Sequence, residues 1–389
     1  MNTHSYPHIQ TTNASDLRVA IVHYWLVGMR GGEKVLETLC RMFPQAVIFT
    51  HVYAPDQMSD LINSHEVRTT KISNLPMARS MYQKYLPLMP NALAKLDLTD
   101  FDLIISSESG PAKGVKTRAD AVHLCYCHSP MRYIWDQYDV YRQQAGLITR
   151  TVMPALVGKL RSWDQQSASA LDGIASNSNH VANRVKTYWD CPSHVVHPPV
   201  AVEDFSPVPA SELGEFYLWA GELAPYKRPD LAVEAFNRLK KPLIVIGGPP
   251  KTERTLSRLA NPEYVHFLGR VSFDKMKAYM AHCRALIFPG EEDFGIVPVE
   301  VMASGRPVIA YGKGGALDTV VDGKTGLLFQ DQTVEGLIQA VTDFEAQGLD
   351  KLPAHSIVKH AQKFSEKVFV ERFLAFARDH GLDIALTEE

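Results

Sequence analysis

Two acids eight positions apart, Glu292 and Glu300, stand out in FPGEEDFGIVPVEVMASGRPVIA, residues 288–310. The apolar ALIFP run reads as a strand and GEEDFG as a loop. Pro298 suits the first turn of a helix, where its missing N–H costs nothing. Gly305, followed by Arg306 and Pro307, suits its end. Glu292 then sits on the loop and Glu300 in the first turn. The helix start, from Phe294 and Gly295 to Ile296 and Val297, offers free N–H groups and partial positive charge, which favour a phosphate. Carboxylates accept hydrogen bonds from hydroxyls and repel phosphate at contact distance. A ligand carrying both groups, such as a nucleotide-diphosphate sugar, fits that combination. The same spacing also fits an acidic surface loop leading into a helix that tolerates a glutamate.

Other residues with chemical potential fall on strand-to-helix loops. Gly31 and Gly32 open a helix in MRGGEKVLE, where backbone could approach a ligand or simply turn tightly. Lys227 and Arg228, in GELAPYKRPD, are placed to clamp a diphosphate and stabilise it as a leaving group, or else form a solvated basic pair. His128 follows an apolar run in CYCHSPMRYIWD, a position that suits catalysis or a structural histidine. Arg132, Tyr133 and Trp135 beside it suit sugar stacking or plain packing. Arg270 in FLGR could flank a nucleotide base or lie on the surface, and Gly314 and Gly315 open a further helix before Asp318.

Positioning these loops requires a regular scaffold. Apolar runs at 17–26, 45–53, 101–107, 121–127 and 172–178 alternate with amphipathic stretches such as 31–43. After a break they resume at 216–223, 242–248, 265–270, 285–290, 306–312 and 325–329. Continuous apolar strands separated by helices mean parallel sheets in an α/β protein. The break holds Pro192, Pro198, Pro199, Pro207 and Pro209, which no helix or central strand accommodates. The expected layout is a disordered tail at 1–16, one doubly wound Rossmann-like domain at 17–200, a second at 201–370, and a closing helix and tail at 371–389 that could return to the first. Ligands of such sheets bind beyond the carboxyl ends of the strands, so a cleft between the domains is expected to hold the site. The stretch 77–96, mixing Met, Leu, Tyr and Lys, reads as a helix covering the sheet or as an amphipathic segment at a membrane surface.

Composition narrows the classes. A chain of 389 residues exceeds one ordinary core, and a net charge of −3 argues against general nucleic-acid binding. Five cysteines without a CxxC suggest neither a disulfide framework nor a zinc knuckle. The polar start has no apolar leader and no stretch is long enough to span a bilayer, so a cytoplasmic location is expected, with peripheral contact at the inner membrane face left open. No GxGxxG follows either first strand, which disfavours a dinucleotide dehydrogenase.

The 288–310 stretch resembles the E-x7-E signature of family 4 retaining glycosyltransferases of the GT-B fold. The similarity continues through ASGRPVIAYGKGGALDTVVDGKTGLLF, residues 303–329, and more weakly from about 17 to 380. It is nearest the bacterial branch that builds surface polysaccharides, including mannosyltransferases using GDP-mannose. The resemblance implies that Glu292 holds hydroxyls of the donor sugar and Glu300 those of the ribose. It implies that His128 reaches the donor sugar, that Lys227 with Arg228 contacts the diphosphate, and that donor binding needs neither metal nor cofactor. One departure is clear: Glu222 stands where the family usually has a basic residue. The implied partners are a nucleotide-diphosphate sugar and a glycan or lipid-linked glycan acceptor, with no nucleic acid. A nucleotide-sugar epimerase of the same fold and a non-catalytic nucleotide-sugar-binding protein are the competing readings.

Overall fold

A computed structural model of the chain describes residues 9–139, 142 and 147–386. It divides into two compact units, Met1–His197 with Phe369–Glu389, and Pro198–Val368. Each is built on a parallel sheet.

In the first unit the apolar runs become β2 (Val19–His23), β3 (Val47–Thr50), β5 (Leu103–Glu108), β6 (Val122–Cys127) and β7 (Gly173–Ser176). Short β4 (Val67–Thr69) and β8 (His194–Val195) finish the edges, giving the order β4-β3-β2-β5-β6-β7-β8. Every residue of β2, β5 and β6 is buried, as expected of strands covered on both faces. The helix Gly31–Met42 lays Val35, Leu36, Leu39 and Phe43 against Ile21, Ile48 and Ile105. Phe369, Phe373 and Phe376 join this core from the helix Glu366–Asp379, so the closing helix belongs to the first unit. Removing one such ring costs about 3–5 kcal/mol. Burial holds the thiols of Cys125 and Cys127 well above their usual range, so the alternating pair is core rather than reactive.

Two expectations need correction here. Residues 9–16 are not a disordered tail: β1 (Ile9–Asn13) pairs in parallel with β15 (Leu382–Ala385). Residues 77–96 do not form one helix. Pro87 and Pro90 remove helical donors, and the stretch breaks into Ala78–Met81, the 3-10 turn Tyr82–Leu88 and Met89–Leu93.

The second unit carries β9 (Tyr217–Glu222), β10 (Leu243–Gly248), β11 (Val265–Gly269), β12 (Leu286–Phe288), β13 (Val308–Tyr311) and β14 (Gly326–Phe329), in the order β11-β10-β9-β12-β13-β14. Alternation along β9 sends Tyr217 and Trp219 into one core and Leu218 and Ala220 into the other, so helices cover both faces. The chain leaves β9 towards β10 and β11 on one side, and later builds outward from β12 on the other. The loops after β9 and β12 therefore diverge at a topological switch point, where sheets of this kind open a crevice. In the first unit the corresponding point lies between β2 and β5. No helix among the described residues is long and apolar enough to cross a membrane.

Candidate functional site

The loop after β9 makes the 3-10 turn Pro225–Lys227, and Arg228 takes a left-handed conformation (φ 53°) before the helix Pro229–Leu239. The loop after β12 ends at Gly295, which caps the helix Ile296–Ala303 with φ 90° and no side chain to accept from its first N–H groups. These loops bring together residues 65 apart: Lys227 Nζ donates to Glu292 Oε1 at 2.8 Å. Both side chains keep about 15% exposure (15% and 16%), so the pair is sheltered yet reachable. Burial, the largest single influence, would lower the Lys227 pKa, but Glu292, Tyr226 and Glu222 together outweigh it and the ammonium is held above its usual range.

Two glycines permit this approach. A Cβ on Gly290 would stand 2.5 Å from the Lys227 Cα, so a larger residue would push the loops apart. Gly314, at φ 65°, lies against the Glu292 carbonyl, and Gly315 donates its N–H to that oxygen at 2.8 Å. Three loops thus fix the main chain of Glu292.

The remaining residues singled out in this unit fall as follows. Glu300 is one turn further into the helix than expected, because the helix begins at Ile296 and leaves Pro298 at its third position. Ile296 and Val297 are its half-buried first residues. Phe294 is 3% exposed and packs edge-on against Phe364 at 5.6 Å, so its ring is a wedge of the core rather than a ligand contact. The Arg228 guanidinium folds onto Asp230, with Nε 3.2 Å from the carboxylate. Arg270 lies across Gly248, its Nε 2.9 Å from where a Cβ would stand, which brings it to the carboxyl end of β10. Glu222 is exposed in register with Gly248 and adds to the upward shift of Lys227. Asp318 lies in the short helix Ala316–Thr319. A shallow hollow between β14 and the helix Val334–Ala346 includes none of these groups.

In the first unit His128 follows β6. Its N–H donates to the Glu108 carbonyl at 2.9 Å, and its Nε2 lies 2.8 Å from the Ser107 hydroxyl. Burial, and then the neighbouring His23, push its pKa down to about 3, so the imidazole is neutral. Gly31 and Gly32 open the helix Gly31–Met42; a Cβ on Gly32 would meet the Tyr24 hydroxyl, so this glycine makes room for a side chain of its own unit. Trp135 stacks on Tyr188 (4.9 Å between ring centroids) and donates Nε1–H to Asp164 at 2.8 Å. Arg132 lies 3.4 Å from Asp136. Trp135 and Arg132 therefore belong to the packing of the first unit, and the sugar-stacking role is not carried over to Trp135.

Comparison with known proteins follows this division. Residues 29–204 match the family described as Glycosyltransferase Family 4, and residues 203–366 match Glycosyl transferases group 1, so the two matches together span nearly all the described chain. The chain belongs to the family 4 glycosyltransferases of the GT-B fold. Among its relatives, a D-inositol 3-phosphate glycosyltransferase of Streptomyces avermitilis is 26% identical over 52% of the chain and 50% of its own length. An uncharacterized glycosyltransferase of Methanocaldococcus jannaschii is 30% identical over 39% of the chain and 44% of its own length. The alignments thus span about half the length, or less, of these relatives. The fold is shared with HepE of Anabaena in complex with UDP and glucose (TM-score 0.66, 15% identity, 93% and 99% coverage). It is shared equally with sucrose-phosphate synthase of Thermosynechococcus elongatus (TM-score 0.66, 16% identity, 93% and 99% coverage).

Several residues that shape the candidate site carry little signal in the sequence. Gly290 was visible only as the end of an apolar run. Ser107, His23 and Glu33 were hidden inside strand and helix patterns, although Arg30-Gly31-Gly32-Glu33 has the spacing of a capping box, and Glu33 does accept the Arg30 N–H at 3.0 Å.

Proposed function

We propose that this chain is a retaining glycosyltransferase that moves a hexose from a nucleotide diphosphate to a hydroxyl of a lipid-linked or growing glycan. The observation that carries the reading is the Lys227–Glu292 pair at the sheet's switch point, beside the uncapped helix start at Ile296. A single hydrogen bond holds it, so an incoming donor can part the two groups without leaving either unmatched. The ammonium moves to the diphosphate and the carboxylate to the sugar hydroxyls. As the bond between the anomeric carbon and the phosphate oxygen breaks, charge grows on the diphosphate. Lys227 and the helix start oppose it; one well-placed donor contributes about 3–4 kcal/mol of barrier lowering. The leaving phosphate oxygen takes the acceptor's proton on the same face, which retains the configuration. Charge neutralisation is assigned to these groups, so the reaction runs without a metal.

GDP-mannose is the donor favoured by the sequence resemblance, and the UDP and UDP-glucose complexes of HepE support UDP-hexoses as the next candidates. The exposed Met77 and Leu88, with Lys84 close by, suit a glancing contact with a membrane that presents the acceptor. The test is a thermal-shift panel of nucleotide-diphosphate hexoses, followed by product analysis with the stabilising donor. A transferred hexose, with turnover insensitive to a chelator, is the expected result. A free epimerised sugar nucleotide, or binding without any product, refutes the transferase reading.

A further inference from the structure

The first unit holds a hydrogen-bonded chain at its own switch point. His23 ends β2 and pairs in register with Ser107 of β5, while His128 follows β6. The Ser107 hydroxyl lies between two imidazole nitrogens, His23 Nδ1 at 2.9 Å and His128 Nε2 at 2.8 Å. On the other side of His23, Nε2 faces Glu33 Oε1 at 3.6 Å, with side chains only 0% and 2% exposed. That nitrogen is buried and makes no hydrogen bond of its own. The second Glu33 oxygen accepts the Arg30 N–H at 3.0 Å, which fixes the carboxylate's orientation.

One hydroxyl proton cannot serve two imidazoles. Ser107 donates to one ring nitrogen and accepts from the other, so exchanging the roles reverses the whole chain. Glu33 breaks the tie. A lone pair on His23 Nε2 facing a buried carboxylate oxygen would be repelled, whereas an Nε2–H is attracted. With the proton on Nε2, His23 Nδ1 is bare and accepts from Ser107. The Ser107 oxygen in turn accepts from His128 Nε2–H, which leaves His128 Nδ1 bare. That Nδ1 makes no hydrogen bond among the described residues, and unlike His23 Nε2 it is not a buried orphan. Tyr126 and Tyr24 stand edge-on to the His128 ring at 5.1 and 6.2 Å and limit its rotation.

We propose that Glu33, His23 and Ser107 are positioning residues that set the tautomer of His128, so that it presents Nδ1 as a hydrogen-bond acceptor to a hydroxyl of the bound sugar. This rests on the transferase reading for the identity of the ligand but not for the proton arrangement. The depressed pKa of His128 agrees with an uncharged acceptor.

The test is Glu33→Gln. Gln still satisfies the Arg30 N–H through its oxygen and keeps the capping box. Its amide N–H then faces His23 Nε2 and favours the opposite chain, ending in His128 Nδ1–H. Histidine-labelled protein, read by long-range proton–nitrogen NMR, is expected to show His128 as the Nε2–H tautomer in the native chain and as Nδ1–H in Glu33→Gln. Ser107→Ala should give a mixture of tautomers, and Ser107→Thr should restore the native one. With an active donor, kcat is expected to fall about 10- to 100-fold in Glu33→Gln with little change in the unfolding midpoint, the size typical of losing a group that orients a working histidine. An Nδ1–H tautomer in the native chain, or one unmoved by Glu33→Gln, overturns the proposal. A switched tautomer with unchanged turnover overturns the positioning role. Should no donor turn over at all, the transferase reading fails while the NMR result still decides the proton arrangement.

Discussion

Each unit carries a lysine paired with carboxylates, and the two are built to opposite ends. In the first unit Lys113 is fully buried. It donates to Glu108 at 3.0 Å and to Asp164, and lies 4.1 Å from the Trp189 ring centre. Trp135 and Trp189 both donate to Asp164, at 2.8 and 2.7 Å, and the N–H groups of Ala112 and Lys113 donate to Glu108. Burial nonetheless pushes Glu108 up to about 7. The cluster satisfies itself and pins the segment 108–113 to the helix Leu147–Ala168. In the second unit Lys227 has one carboxylate at hydrogen-bond distance and stays reachable from solvent. A charge closed off by many partners holds a fold together. A charge held by one partner beside an open helix end is ready to exchange it for a ligand.

Substitutions can break this contrast. Lys113→Ala leaves two buried carboxylates facing each other, and its largest effect is on stability: a loss of about 3–5 kcal/mol, read by urea unfolding. Lys227→Ala is expected to unfold within about 1 kcal/mol of the native chain, because a partly exposed pair contributes little to stability. Its turnover should fall by about 100- to 1,000-fold, read with the active donor at saturation. If Lys227→Ala unfolds the protein while Lys113→Ala is tolerated, the assignment of structural and functional roles is reversed.

A pH-dependent effect comes from buried histidines. Burial lowers His51 to about 4 and His123 to about 3, so each is neutral in the folded chain. The unfolded chain binds their protons below about pH 6.5, and the folded chain does not. Stability is therefore complete above that pH and falls as the solution is acidified towards pH 4, by up to about 1.4 kcal/mol per unit for each histidine. Because Glu108, raised to about 7, works in the opposite direction over the same window, urea midpoints of the native chain against His51→Gln check the sign; a native-minus-variant difference that rises on acidification contradicts it.

The scaffold was legible because its strands are short apolar runs bounded by glycine and proline. Leu243–Gly248 and Val308–Tyr311 announce themselves in this way. The edge strands Val67–Thr69 and His194–Val195 carry too few apolar residues to signal, and Ile9–Asn13 is a strand only because a segment more than 360 positions away pairs with it. The candidate site was half legible. Loop position identified Lys227 and Glu292 separately, but their contact needs the β9–β12 adjacency, which no local pattern encodes. The offset of Glu300 has a local cause, since proline is acceptable throughout the first helical turn and so marks the start only loosely. The chain from Glu33 to His128 joins positions on two strands, a helix and the loop after a third strand, and was invisible for the same reason as the ion pair.

Titration calorimetry of a nucleotide-diphosphate hexose and its free nucleoside diphosphate, on the native chain, Lys227→Ala and Glu292→Ala, tests the division of labour most directly. The account predicts that Lys227→Ala loses affinity for both ligands. Glu292→Ala should lose affinity for the sugar-bearing ligand alone and keep, or gain, affinity for the free diphosphate as Lys227 is released. Equal losses in the two variants, or undiminished donor binding in either, would contradict it.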